Sequence, residues 1–189
     1  LNTSFEDICI SFNLCDYTVL PNARQAHPNN NNENSEIATI HQTKNVINLY
    51  FCEICSGSPS KTFVELGDTA LPDTITPLTN AIFVPKSTAT DGSTINYALG
   101  RFFGLYYTHF VGDELADASN CLTAGDKICD TPADPGGTAD ASCHLSYQTP
   151  NPNLDANGHY YVPDVCNFMS WYSASCKSSF TTEQYNKMA

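Results

Sequence analysis

The sequence predicts an α+β fold on three observations: compact apolar runs of strand character, one amphipathic helical stripe in mid-chain, and a loop-rich final third where periodicity fades. The clearest strand-like runs are Val46-Ile-Asn-Leu-Tyr-Phe51 and Ala81-Ile-Phe-Val84, the second closed by Pro85. A further, half-buried strand is expected where Ile8, Ile10, Phe12 and Leu14 alternate with Cys9, Ser11 and Asn13. The helix is expected over 94–104, because Ile95, Ala98, Leu99, Phe102 and Phe103 fall at i, i+3, i+4, i+7 and i+8. Tyr97 and Arg101 are four residues apart on its other face. Gly104 accepts a left-handed backbone without a Cβ clash, so it is the expected terminator, and a turn there would swing Tyr107 back toward Tyr97 and Arg101.

The polar stretch 21–35 and the Gly-, Pro-, Ser- and Thr-rich stretch 56–80 read as loops. From 110 to 168, Asp, Gly, Pro, Asn and Cys dominate, which predicts an irregular lobe that disulfides or ions would stiffen. Thr181-Thr-Glu-Gln184 reads as a capping box opening a last helix, with Phe180 and Tyr185 spaced for a hydrophobic staple.

A length of 189 residues suits one domain of two lobes, about 1–109 and about 110–189. The 41% apolar content is that of a globular chain and excludes wholesale disorder. No apolar run approaches the length of a membrane span. The net charge of −12, with only eight Lys and Arg, would repel a phosphate backbone, so nucleic acid is excluded as a partner. Nine cysteines spread along the chain point to an oxidising compartment, and hence to a secreted or cell-surface protein. The count is odd, and spacing alone leaves their pairing open. Cys52-x-x-Cys55 has no second Cys-x-x-Cys to complete a zinc ribbon. No leader is visible, so any signal peptide is expected upstream or removed. The abrupt ends lead us to expect a fragment of a longer chain that carries other domains.

The stretch Tyr97-Ala-Leu-Gly-Arg101-Phe-Phe-Gly104-Leu-Tyr-Tyr107-Thr-His109 resembles the zinc-binding segment of the pappalysin/ulilysin family of metzincin zinc peptidases, His-Glu-x-x-His-x-x-Gly-x-x-His. Three more stretches are similar to that family in order. They are Val46–Phe51, the acidic loop Gly125-Asp126-Lys-Ile-Cys-Asp130-Thr131-Pro-Ala-Asp134, and Cys166-Asn-Phe-Met169-Ser-Trp171-Tyr172 with Cys176 and Phe180-Thr181. The resemblance spans nearly the whole chain and implies a twisted, mostly parallel sheet, an active-site helix and an irregular, disulfide-bearing C-terminal lobe. It implies a Met-turn at Met169, disulfides Cys143–Cys176 and Cys121–Cys166, with Cys129 spare or paired to an N-terminal cysteine, and a calcium ion near Asp126, Asp130, Thr131 and Asp134. It also implies that a first strand and most of a first helix precede Leu1.

The departures fall on the chemistry. Such a site holds Zn²⁺ by three imidazoles, and a Glu beside the first acts as general base on the metal-bound water. Here Tyr97, Arg101 and Tyr107 stand at the ligand positions and Ala98 at the base position. A phenol ionises only near pH ~10. A guanidinium has no acceptor lone pair and keeps its charge. The Tyr that the family places two residues after the Met is Trp171, with Tyr172 one residue further on. All five catalytic positions therefore differ, and zinc is not expected. Arg101 held between the faces of Tyr97 and Tyr107 would gain about 0.5–2 kcal/mol of cation–π attraction. His109 lies just outside the ligand set and reads as a packing or surface residue, while His27, His41, His144 and His159 are scattered in polar segments. The expected function is a non-catalytic peptidase-like module that binds an extended peptide or protein in its cleft. The alternative is an active zinc endopeptidase, which requires residues other than these at 97, 98, 101 and 107.

Overall fold

The computed structural model describes residues 1–20, 31–53, 63–65, 81–109, 113–139, 142–146 and 154–189. Its contacts divide the chain into two units, Phe12–Gly104 and a second made of Leu1–Ser11 with Leu105–Ala189. The first eleven residues thus group with the C-terminal part rather than with the N-terminal lobe.

In the unit Phe12–Gly104, helix α1 (Asn31–His41) leads to strands β1 (Asn48–Cys52), β2 (Phe63–Glu65) and β3 (Ala81–Pro85), then helix α2 (Ser93–Phe102). The strand order is β1-β3-β2, with β1 parallel and β2 antiparallel to β3. The sheet described is therefore mixed, with one parallel and one antiparallel pairing. Every residue of β3 is buried, as its continuous apolar run requires of a central strand. Tyr50 stacks on Phe83 at 4.7 Å, and Ile37 and Ala38 of α1 pack with Cys52, Ala81 and Phe83. Helix α1 corrects the expected loop 21–35. Its first residues are polar, and the apolar signal begins only at Ile37. The rest of the two expected loops, 21–30, 56–62 and 66–80, lies outside the described residues, as do His27 and Cys55.

Helix α2 starts on a cap that the sequence reading missed. The Asp91 carboxylate accepts the amides of Ser93 (3.0 Å) and Thr94 (2.7 Å), satisfying two otherwise orphan N–H groups. The helix buries Ala98, Leu99, Asn96 and Gly100 and packs against β2 and β3. Gly104, at φ 93, ends it in a backbone conformation that side chains resist.

The expected strand at 8–14 does not form: the 3-10 helix Asn2–Ile8 ends at its start, and residues 10–14 have no regular secondary structure. Cys9 closes the helix at φ 56, its amide on Glu6 O at 2.9 Å, and no strand pairing forms through Leu20. Alternation therefore misled: Leu14 is 83% exposed. Phe5 anchors the 3-10 helix against Phe180 at 5.5 Å, and the Tyr185 hydroxyl donates to Ser4 O at 2.9 Å. A short hairpin, β4 (Thr138–Ala139) with β5 (Leu145–Ser146), interrupts the irregular segment. Helix α3 (Thr182–Met188) closes the chain on the expected capping box, Thr181 with Gln184, and the Phe180–Tyr185 staple is in place at 5.5 Å.

The structure bridges Cys143 to Cys176 and Cys121 to Cys129. The second pairing corrects Cys121–Cys166. Eight residues separate Cys121 from Cys129, with Cα atoms 5.1 Å apart, and Cys166 is a free thiol, as are Cys9 and Cys15. Cys52 is also disulfide-bonded. Among the described residues, no helix is long and apolar enough to cross a membrane.

Candidate functional site

Of the residues at the positions likened to a zinc motif, Tyr97, Ala98 and Arg101 lie on α2, and Tyr107 follows in the other unit. Ala98 is completely buried, and its methyl group offers no carboxylate to act as a general base. Tyr97 and Arg101 are partly exposed one turn apart. Tyr107 stacks on His109 at 5.5 Å and meets Trp171 edge-on at 5.9 Å, while His109 meets Trp171 at 4.3 Å. Burial pushes the His109 imidazole below its ordinary value, against the pull of Asp134 and with the push of Lys177. The residues at the four motif positions supply no imidazole and no carboxylate, and this donor set does not fit zinc.

The turn around Met169 is ordered around a buried carboxylate, Asp134. Its Oδ2 accepts the Thr108 hydroxyl at 2.6 Å, and its Oδ1 accepts the Tyr172 hydroxyl at 2.8 Å and the Gly136 amide at 2.9 Å. The Thr108 amide donates to Met169 O at 3.3 Å. One carboxylate thus ties together the segment after α2, the acidic loop and the turn that buries Met169. Tyr172 is buried with its phenol on Asp134, whereas Trp171 is 66% exposed. The remaining tyrosine of the turn is therefore directed inward.

A chain of amides holds the turn to α3. Asn167 Oδ1 accepts the Met169 amide at 2.8 Å, and Asn167 Nδ2 donates to Gln184 Oε1 at 2.9 Å. That same Gln184 oxygen accepts the Thr181 amide at 2.9 Å, so the capping box and the turn at Met169 share a side chain. Gln184 Nε2 reaches Asp126 Oδ2 at 3.5 Å.

Asp126 is fully buried, and burial raises its carboxyl to about 6, against the lowering effect of the Ile128 amide and Gln184. Beside it stands Glu114, a residue that sequence reasoning missed. It is 5% exposed, and burial, Asp126 and Asp134 push its carboxyl up to about 7. Its Oε1 is buried without a hydrogen-bond partner, and so is the hydroxyl of Thr131. Gly125, at φ 55, makes the close approach possible, because a side chain there would collide with the Glu114 carboxylate. The only sequence signal was an acidic residue ahead of a Gly-Asp pair, with nothing to bring the two together.

These oxygens fit a hard cation: two carboxylates crowded in a poorly solvated place, with an orphaned oxygen on Glu114 and another on Thr131. The other two residues expected there have separate tasks. Asp130 is exposed and accepts the Glu183 amide at 2.8 Å, while Glu183 returns a bond from its carboxylate to the Cys129 amide at 2.9 Å. Asp134 is engaged as described above. Among the described residues, no three His, Cys, Asp or Glu side chains converge into a metal cluster, so a cation would need the non-acidic oxygens.

No family model matches the chain. It is 28% identical over 202 residues to an extracellular metalloprotease of Colletotrichum graminicola and 26% identical over 197 residues to an extracellular metalloprotease of Podospora anserina. Both alignments take in 100% of the chain, but it spans only 63% and 61% of the length of these two relatives.

Proposed function

We propose that the chain is a metallopeptidase-like domain of the metzincin type, secreted or displayed at the cell surface, that binds without cleaving. The likeness of the whole chain to two extracellular metalloproteases supports the peptidase descent and the location. The observation that carries the loss of catalysis is the α2 face itself: Arg101 stands one turn from Tyr97, beside a buried Ala98. A guanidinium cannot ligate Zn²⁺ and repels it, and a methyl group cannot take a proton from water. The inward-facing phenol of Tyr172 and the exposed indole of Trp171 support the same reading, since neither presents a phenol for an oxyanion.

Binding would remain possible. Strand β1 is an edge of the described sheet, and Leu49 and Phe51 on it are exposed, which suits addition of an extended peptide strand by backbone hydrogen bonds. We assign calcium to Glu114, Asp126 and Thr131, with Asp130 and Asp134 in supporting roles. The ion would neutralise the paired carboxylates and stiffen the loop, a structural rather than a catalytic contribution. Further domains of a longer chain fit the part of the relatives that lies beyond the alignments.

The test is proteolysis by the purified chain, supplied with zinc, on an unfolded protein substrate. We expect no cleavage with or without a chelator. Cleavage that o-phenanthroline blocks and zinc restores would establish instead the active endopeptidase that the relatives' names describe.

A further inference from the structure

The sequence contains a single Asn-x-Ser/Thr triplet, Asn2-Thr3-Ser4, among its 189 residues. This is the acceptor pattern for N-linked glycan, and it requires passage through an oxidising secretory lumen and a site that leaves room for a bulky polar group. Both conditions have support. The Cys121–Cys129 and Cys143–Cys176 disulfides belong to an oxidising compartment. Asn2 and Thr3 are exposed on the 3-10 helix Asn2–Ile8, whose buried residue is Phe5. The helix is held by Phe5 against Phe180 and by the Tyr185 hydroxyl on Ser4 O. The exposure of Asn2 leaves room for a glycan at position 2.

We propose that Asn2 carries an N-linked oligosaccharide. The inference rests on the secreted reading above. Its chemistry is transfer from a lipid-linked oligosaccharyl pyrophosphate. The Asn2 amide nitrogen forms a bond to the anomeric carbon of the first sugar, the carbon–oxygen bond to the pyrophosphate breaks, and the lipid pyrophosphate leaves with the electron pair. The amide proton is lost to the transferase's base.

The test is expression of the full chain behind a secretory leader in a fungal host, followed by intact-mass and peptide mass spectrometry before and after peptide-N-glycosidase. We expect a glycosidase-sensitive mass on the peptide containing Asn2, its complete loss in Asn2→Gln and Ser4→Ala, and its retention in Ser4→Thr. Unmodified Asn2 in protein recovered from the medium would overturn the glycan while leaving the secreted reading intact. Glycosylated protein retained in the cells would support the glycan and count against secretion.

Discussion

Glu114 and Asp126 set the local electrostatics of the C-terminal unit. Both carboxyls titrate above their ordinary values of 4.5 and 3.8, so in the folded state they hold protons that the unfolded chain would release. The sign follows: without a cation, stability falls as pH rises from about 4.5 toward 7, and the penalty is complete above it. Calcium should reverse this. At a hundredfold excess over Kd, an ion bound only to the folded state adds about 2.7 kcal/mol, which for a chain of this size raises Tm on the order of 5–10 °C. The measurement is a pair of melting curves at pH 8 with calcium and with EDTA. We expect Glu114→Gln to raise the EDTA Tm and abolish the response to calcium, and equal curves for the unaltered chain would remove the ion. Asp134 shows the opposite economy, a buried carboxylate with every hydrogen bond in use. Asp134→Ala leaves two buried hydroxyls and an amide without their acceptor, which should cost about 3 kcal/mol or a Tm drop on the order of 10 °C by calorimetry. None of this was legible residue by residue. Asp126, Thr131 and Asp134 stood out in sequence, but Glu114 did not, because only the left-handed backbone at Gly125 lets its carboxylate in.

At the scale of elements, local signals succeeded where they were redundant. The helix expected at 94–104 is α2, because its apolar stripe, its terminating glycine and its burial agree. Helix α3 was readable from its cap alone, since Thr181, Gln184, Phe180 and Tyr185 are all short-range partners. Alternation without a partner strand failed at 8–14, while the 3-10 helix just before it, Asn2–Ile8, is held by the long-range Phe5–Phe180 contact. Helix α1 was hidden by its Asn-rich start and is held by Ile37 and Ala38 against the sheet. Disulfide pairing was not legible from spacing either. The bridges Cys143–Cys176 and Cys121–Cys129 close loops of 33 and 8 residues, so removing the first should cost about 3–4 kcal/mol and removing the second about 2–3 kcal/mol. Urea unfolding of the two double-alanine variants checks the order, and a larger loss from the shorter loop would mean that the Cys121–Cys129 bridge acts on the folded state, through the loop that carries Asp126.

For the whole molecule, a likeness to metalloproteases was legible in four stretches taken in order, and the whole chain aligns at 28% and 26% identity with two extracellular metalloproteases. The division of the chain was less legible, since nothing in the sequence of 1–11 announces that it groups with 105–189. The loss of catalysis is a claim about donor atoms at 97, 98, 101 and 107, and native mass spectrometry of the zinc-equilibrated chain tests it most directly. The chain as it stands should carry no zinc. One tightly held zinc on the unaltered chain would contradict the account.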